Sequence, residues 1–154
     1  MRPSRGFSMV EVLIVLLLIA VMLGLAAETF NGYMARTSAK KAAEIFVQDL
    51  NVTKNAASRS RRIVVLDFDE SRLRYVARTE SGDTLFRRSF DEDAEITLSS
   101  LDLEMAGDTL IFDNRGQADL GGAVGSLGRA VFSAGSRTYA VSFNSMGVAR
   151  IDEA

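Results

Sequence analysis

Residues 5–27 read RGFSMVEVLIVLLLIAVMLGLAA and set the architecture of the chain. Residues 12–27 contain no polar side chain, and together with residues 7–10 they are long enough for the helix of about 20 residues that crosses a membrane. One carboxylate, Glu11, stands at the start of this run. A charge within the bilayer costs about 2.5 to 3.5 kcal/mol at the centre and less near the interface, so Glu11 is expected to need a cationic partner.

A cut between Gly6 and Phe7 would supply that cation. The new ammonium group of Phe7 would lie about one helical turn before Glu11, on the same chain or on a neighbouring copy. At roughly 4 Å and an effective dielectric constant near 20, such a pair is worth about 4 kcal/mol before desolvation. A cleaved secretory signal is the alternative interpretation, because Arg2 and Arg5 precede the apolar run. The length of the run and the position of Glu11 argue against that signal.

The string GFSMVE at residues 6–11, followed by a long apolar helix, resembles the class III signal of type IV prepilins and type II secretion pseudopilins. The resemblance implies that prepilin peptidase cuts after Gly6 and that Phe7 becomes the N-methylated terminus. It also implies that Glu11 guides assembly into a filament. An ordinary signal anchor, in a single-span protein that never assembles, is the competing hypothesis.

Composition predicts one exported globular head without enzymatic chemistry. Roughly 125 residues follow the apolar run, which suffices for a single domain. The chain contains no cysteine and no histidine. This excludes disulfides, thiolate sites and the commonest general base, and it removes the ligands of most zinc sites. The sequence therefore predicts neither an enzyme nor a protein with a cofactor or a metal.

Hydrophobic periodicity predicts an α+β fold. No proline interrupts residues 29–58, and apolar residues at helical spacing form a stripe, so one helix is expected from Phe7 to about Ser58. Asn31-Gly32 is its weak point. Beyond Arg62 the pattern becomes strand-like, which predicts a long N-terminal helix packed against a mainly antiparallel β-sheet head. The stripe comprises Ala39, Ala43, Phe46, Leu50 and Ala57, widened by Ile45 and Val47, and the predicted strands are 63–68, 73–78, 84–90, 95–98, 109–112, 129–132, 138–143 and 148–151.

The domain division follows from these patterns. Residues 1–6 are predicted as the leader, 7–28 as the transmembrane helix, 29–62 as its amphipathic continuation and 63–154 as the β-rich head. Between residues 36 and 62 seven basic residues face two acidic ones, whereas from residue 63 onward nine face sixteen. The connector thus carries +5 and the head −7. A solvated helix face explains this distribution, and contact between the connector of one subunit and the head of another is the functional alternative.

The C-terminal half resembles the GspH/FimT family of minor pseudopilins and minor pilins. In the C-terminal half of this chain, turn sequences ending in Gly116 and Gly147 follow predicted apolar strands. The last predicted strand has the sequence Gly-Val-Ala-Arg-Ile at residues 147–151. Major subunits of pili usually carry a C-terminal disulfide loop and a proline at the position of Glu28, whereas the only proline here is Pro3. The resemblance implies a pilin-like, H-type minor pseudopilin near the tip of a type II secretion pseudopilus. A minor type IV pilin of the FimT/FimU type, in pilus assembly or DNA uptake, is the alternative.

The same resemblance implies the partners and the location. The partners are prepilin peptidase, the major and tip subunits and, for the head, an exported substrate. The protein is expected to span the inner membrane once, with a cytoplasmic N-terminus and a periplasmic head. Its orientation rests on the resemblance, since basic residues flank both ends of the apolar run.

Two binding alternatives concern the head. Contact with DNA or a protein partner would use the best basic cluster, Lys54, Arg59, Arg61 and Arg62, although the acidic head disfavours nucleic acid. Asp113, Asn114 and Asp119 could mimic a calcium loop, but such residues beside glycine are usually plain turns. The glycine-dense residues 121–128 match no phosphate-binding pattern and are predicted as a loop.

Overall fold

The computed structural model describes residues 8–91, 96–105, 107–121 and 126–154, apart from the side chains of residues 26–28. The chain divides into two compact units, Met1–Met34 and Ala35–Ala154. One helix, α1 (Met9–Ser60), contributes to both. The predicted long helix is therefore confirmed, and Asn31-Gly32 does not interrupt it. Gly32 has no atom within 4 Å of the position of a Cβ, so its only cost is conformational.

The head unit joins the second half of α1 to the nine strands found among its described residues. A short 3-10 helix, Glu70–Arg72, separates the first two of them. The strands are β1 (Val64–Asp69), β2 (Arg74–Thr79), β3 (Thr84–Ser89), β4 (Ser100–Glu104), β5 (Thr109–Phe112), β6 (Ala118–Asp119), β7 (Leu127–Ala134), β8 (Arg137–Asn144) and β9 (Ala149–Glu153).

The strands form two antiparallel sheets rather than one. The first has the order β3-β2-β1-β5-β6 and the second the order β4-β7-β8-β9. Most neighbouring strands are consecutive in the chain and form hairpins. The pairing of β1 with β5, which matches Val64 with Phe112, is long-range. β4 pairs with β7, matching Leu101 with Phe132. These two long-range pairings define the sheet order.

The core lies where both sheets meet α1. Phe46 is fully buried at its centre. Its ring centroid lies 5.8 Å from that of Phe68 and 5.7 Å from that of Tyr75, both in the first sheet. It lies 5.4 Å from Phe132 and 6.0 Å from Phe143 in the second sheet. The helix stripe predicted from the sequence is the surface on which both sheets pack, since Ala39, Ala43, Leu50 and Ala57 are also fully buried.

Most of the predicted strands are present, and three predictions need correction. Residues 96–98 are not a strand, although Ile96 and Leu98 are buried, and Glu95 lies outside the described residues. Strands β4 and β6 were not predicted, because β6 has two residues and β4 is short and alternates apolar residues with acidic ones. The predicted loop at 121–128 ends early, since Gly128 lies in β7, where a Cβ would come 2.5 Å from the ring of Phe143.

Two turns of the same design close β5–β6 and β8–β9. In residues 113–117, the Asp113 Oδ1 atom accepts hydrogen bonds from the backbone N–H groups of Arg115 (2.9 Å) and Gln117 (2.8 Å). In residues 144–148, Asn144 Oδ1 does the same for Met146 (3.1 Å) and Val148 (3.0 Å). Each turn follows a buried phenylalanine and has glycine in its fourth position with positive φ. We call these segments the twin turns.

Lys54 of α1 lies between the twin turns. Its Nζ atom donates a 2.6 Å hydrogen bond to the carbonyl of Met146. A Cβ atom at Gly116 would lie 2.9 Å from the carbonyl oxygen of Lys54, and one at Gly147 would lie 3.1 Å from its Cδ atom. The strand that follows the first turn contacts the second turn, since the Ala118 N–H in β6 donates to the Ser145 carbonyl at 2.7 Å. One helix residue thus holds together the ends of both sheets.

A buried carboxylate fixes β2 and β3 to α1. The Asp49 side chain is 7% exposed, and its two oxygens accept from Nε and Nη2 on one edge of the Arg88 guanidinium group, at 3.0 and 3.1 Å. The hydroxyl of Tyr75 donates to the same carboxylate at 2.7 Å. Such a bidentate, charge-assisted pair is directional, so it sets the position of these strands along the helix. Burial, and then the negative charge of Asp49, raise the pKa of Tyr75 well above its ordinary value.

Replacement of Gly116 tests the contact between the first twin turn and α1. We expect Gly116→Ala to lower the free energy of unfolding by about 2 to 4 kcal/mol, from the left-handed backbone and the steric overlap together. Gly82→Ala is the matched control, because Gly82 also has positive φ but has no atom within 4 Å of the Cβ position. It should cost about 1 to 2 kcal/mol. Equal losses in thermal unfolding of the detergent-solubilised full chain would contradict the contact.

The raised pKa of Tyr75 predicts a loss of stability in alkali. The folded protein keeps the phenol proton where the unfolded chain, with the ordinary pKa of 10.0, loses it. The stabilisation is complete below pH 10 and declines as the pH rises above it, by up to about 1.4 kcal/mol per pH unit for one proton. Denaturant unfolding between about pH 9.5 and 11 should show a smaller slope for Tyr75→Phe than for the wild type. Equal slopes for Tyr75→Phe and the wild type would contradict this role of Tyr75.

Candidate functional site

The described part of the N-terminal segment begins with a helix cap. Ser8 precedes α1, and its Oγ accepts a 3.3 Å hydrogen bond from the Val10 N–H. Glu11 lies in the first turn of the helix, where a carboxylate also suits the helix dipole. Its side chain is exposed and forms no hydrogen bond or ion pair with another described residue. Ser-x-x-Glu is a capping-box pattern, but among the described residues only its serine half is formed, so the Glu11 carboxylate is not used by the helix cap. Gly6 and Phe7 lie outside the described residues.

The apolar part of α1 has no partner within the described chain. An 18-residue window of the helix has a mean hydropathy of 2.9, and none of it is buried. The large side chains from Val12 to Leu25 are between 45% and 70% exposed. By length and composition this helix can cross a membrane. A surface this apolar must be covered by lipid or by other apolar helices.

The first turns of the head part of α1 are fixed to the C-terminal strand. Arg36 Nε donates to the Tyr139 hydroxyl at 3.1 Å, and Nη2 donates to Glu153 at 2.9 Å. The hydrogen bond to Tyr139, and then the charge of Glu153, raise the pKa of Arg36. Arg137 lies 3.6 Å from the other oxygen of Glu153. Arg36, the first residue of the basic connector, therefore forms its hydrogen bonds and its ion pair within the head unit.

The four residues of the predicted basic cluster have different environments in the structure. Lys54 is half-buried and its ammonium group is occupied by Met146, so its role is structural. Arg59, Arg61 and Arg62 are exposed where α1 ends, and they form no ion pair with another described residue. The Arg62 N–H donates to the Ala57 carbonyl at 3.3 Å, and Arg61 has a left-handed backbone with φ of 53°. This is a Schellman C-cap with arginine where glycine is usual.

The candidate calcium residues serve their own turns. One oxygen of Asp113 accepts two backbone N–H groups of the first twin turn, and Asp119 Oδ1 accepts from the Gly121 N–H at 2.9 Å. Within the described ranges, no group of three or more acidic residues could hold a metal ion. Asp113 and Asp119 therefore stabilise the backbone of their own turns.

Sequence reasoning missed two polar clusters of the head, the one around Asp49 and the one around Arg36. The first left a signal, because Asp49 lies beside Leu50 and three residues after Phe46, on the apolar face of α1. A carboxylate on a buried helix face requires a cation or several donors. The partners, Tyr75 and Arg88, could not be identified from the sequence, since they lie 26 and 39 residues away.

Comparison with known proteins supports the N-terminal motif. Residues 1–27 match the family described as the prokaryotic N-terminal methylation motif. That match includes Gly6, Phe7, Glu11 and the whole apolar run. None of the curated proteins matches the sequence.

Solved structures support the fold. The chain is similar to the type IV minor pilin FimU of Pseudomonas aeruginosa strain PAO1, with 15% identity and a TM-score of 0.59 over 78% of this chain and 92% of FimU. A second crystal form of FimU gives 15% identity and 0.54 over 73% and 91%. The minor pseudopilin EpsH of the Vibrio cholerae type 2 secretion system gives 16% identity and 0.52 over 75% and 97%. At these identities the likeness concerns the fold alone.

The comparisons confirm the predicted fold class, a long N-terminal helix packed on antiparallel sheets, as pilin-like. The chain therefore joins a prepilin-type N-terminal methylation motif to a pilin-like fold similar to those of FimU and EpsH, in agreement with the resemblance found in the sequence.

Proposed function

We propose that the chain is an H-type minor pseudopilin, a structural subunit near the tip of a type II secretion pseudopilus. The observation that carries this proposal is the joining of a prepilin-type motif to a pilin-like head through one helix whose apolar part is uncovered. A filament supplies the missing cover, because the apolar helices of neighbouring subunits pack against one another. The similarity to EpsH agrees with this role.

The N-terminal residues have distinct roles in this proposal. Prepilin peptidase cuts between Gly6 and Phe7, residues 1–6 are removed, and Phe7 is N-methylated. Residues 7–28 then span the inner membrane, residues 29–62 continue the helix, and residues 63–154 form the periplasmic head. The Glu11 carboxylate pairs with the ammonium group of Phe7, on the same chain or on the subunit already in the filament. The exposure of Glu11 supports this role, since it is open to a partner from outside the described chain.

A minor type IV pilin of the FimT/FimU type is the second candidate. The similarity to FimU favours it, with a TM-score of 0.59 against 0.52 for EpsH. The two candidates share processing and filament entry, and they differ in the machine that the subunit serves. A deletion strain assayed for type II export and for surface pili separates them, because each candidate affects one of the two. The identity of the adjacent genes is a quicker indication.

Processing is tested at the mature N-terminus. Mass spectrometry of the protein from its host should find N-methylated Phe7, and Gly6→Val should leave the intact chain from Met1, because the peptidase loses its cleavage glycine. Gly24→Ala is the matched control in the same apolar segment, where no atom lies within 4 Å of the Cβ position. It should be processed normally. A wild-type terminus at Met1, or one near Ala27, would refute the pilin-like role.

Assembly is tested at Glu11. We expect Glu11→Ala to be cleaved normally, but its amount in sheared filaments should fall at least about tenfold. Without the carboxylate, the ammonium group of Phe7 has no counter-charge within the bilayer, which costs several kcal/mol. Glu44→Ala is the control, because Glu44 is exposed on the head part of α1 and lies 3.8 Å from Lys40. Quantitative immunoblots of filament and membrane fractions give the measurement. Wild-type incorporation of Glu11→Ala would count against the assigned role of the carboxylate.

A further inference from the structure

The apolar run by itself leaves the depth of the helix in a membrane loosely defined. Residues 12–27 span about 24 Å as a helix, which is shorter than the roughly 30 Å hydrocarbon core. About two residues on each side must therefore also enter the hydrocarbon. A carboxylate follows or precedes the run at each end, namely Glu11 and Glu28. Because both ends carry an acid, and a mismatch of a few Å costs little, the acids do not select one depth.

Basic residues do not fix the helix beyond the apolar run. Lysine and arginine commonly hold the end of a membrane span at the interface with water. From residue 12 to residue 34 the sequence contains neither of them. Arg36 is the next basic residue, and it belongs to the head unit, where its guanidinium group donates to Tyr139 and Glu153. Side chains of another kind must fix this end of the span.

Two exposed aromatic rings follow the apolar run. Phe30 is 61% exposed and Tyr33 is 66% exposed, and the neighbouring Met34 is 46% exposed. All three belong to the N-terminal unit of the chain. Because Tyr33 and Met34 lie three and four residues after Phe30, the three side chains share one face of α1. Exposed aromatic side chains at the end of an apolar helix are typical of the interface between a bilayer and water.

The order of the rings along the helix matches the change from hydrocarbon to water. For a helix along the bilayer normal, Phe30 lies about 16 Å and Tyr33 about 20 Å from the middle of residues 12–27. The hydrocarbon ends at about 15 Å from the centre, and the headgroup layer ends at about 20 to 22 Å. Phe30, which has no polar atom, is thus nearer the hydrocarbon than the Tyr33 hydroxyl. Thr29 donates its own hydroxyl to the Leu25 carbonyl at 3.3 Å, which suits a position at the boundary.

We propose that Phe30, Tyr33 and Met34 form an interfacial anchor, which lies in the headgroup layer of the bilayer and sets the depth of the unassembled chain. The inference rests on the proposed function, which places residues 7–28 in the membrane. Glu11 lies about 28 Å from Phe30 along the helix. With the anchor in the headgroup layer, Glu11 is therefore close to the opposite boundary of the hydrocarbon, where a carboxylate costs less than at the centre.

A lipid interface fits these residues better than a protein partner does. The interfacial anchor continues directly from an apolar segment that no part of the described chain covers. Residues 29–34 contain no charged side chain, so no ion pair is present to orient a protein partner. The order of a purely apolar ring followed by a ring with a hydroxyl corresponds to a gradient of polarity along the helix, which a bilayer provides.

Tryptophan fluorescence measures the depth of the interfacial anchor, because the chain contains no tryptophan of its own. The full chain is reconstituted in vesicles of phosphatidylethanolamine and phosphatidylglycerol that contain a nitroxide lipid. Tyr33→Trp should be quenched at least about twofold more by a nitroxide on the headgroup than by one near the end of the acyl chain. Leu18→Trp, near the middle of the apolar run, is the control and should show the reverse order. Equal quenching of Tyr33→Trp by both lipids overturns the proposal. Quenching by neither lipid, as expected for rings covered by a protein, also overturns it.

Loss of the rings tests whether they set the depth, and the readout is placed at the far end of the span. The chain contains no cysteine, so Val10→Cys is a single site for a charged maleimide present on both sides of the vesicles. In this background, Phe30→Ala combined with Tyr33→Ala should raise the labelling rate at least about threefold, because the helix can then slide across the boundary. Phe30→Trp combined with Tyr33→Trp should keep the slow rate, since tryptophan is also an interfacial residue. An unchanged rate in the double alanine variant contradicts the anchor.

The control probe separates this inference from the proposed function. If the acyl-chain nitroxide quenches Leu18→Trp but Tyr33→Trp shows no preference for the headgroup nitroxide, the membrane span remains and the interfacial anchor alone is refuted. If the acyl-chain nitroxide does not quench Leu18→Trp, the helix does not cross the bilayer, and the proposed function fails with the anchor.

Discussion

The packing of Phe46 against both sheets is the contact on which the head depends. One ring on α1 contacts Phe68 and Tyr75 on one side and Phe132 and Phe143 on the other, at centroid distances of 5.4 to 6.0 Å. The two sheets share no strand, so their common core is built on the helix. Because the same helix continues into the apolar segment, the residues that organise the head and those of the uncovered apolar segment belong to one element.

Polar contacts then fix where the sheets lie along this helix. The hydrophobic effect is non-directional, so apolar burial alone does not fix the position of a sheet along the helix. A bidentate ion pair, or a lysine between two glycine turns, requires defined distances and therefore does fix it. Asp49 holds β2 and β3 through Tyr75 and Arg88, and Lys54 holds the twin turns. These side chains are committed to the fold, whereas Arg59, Arg61 and Arg62 at the end of α1 are exposed.

The fold class and most strands follow from local patterns. The stripe around Phe46 has helical spacing, and β5, β7 and β8 have alternating or β-branched residues between turn signals, so the periodicity of the sequence suffices for them. The division into two sheets does not follow, because the pairing of β1 with β5 joins segments about 45 residues apart that carry no mark of each other. For the site, the motif around Gly6 and Glu11 could be read directly, since its residues are contiguous.

Residues 5–27 alone predict a helix that is apolar enough to cross a membrane and has one carboxylate near its start, because hydropathy and a short motif are local properties. The use of each basic residue was decided by tertiary structure. Lys54 and Arg59 look alike in the sequence, yet Lys54 is enclosed by two glycine turns from distant strands, and Arg59 remains exposed. Whether a side chain is structural or available depends on which distant segments fold against it, and a sequence pattern contains no distances between such segments.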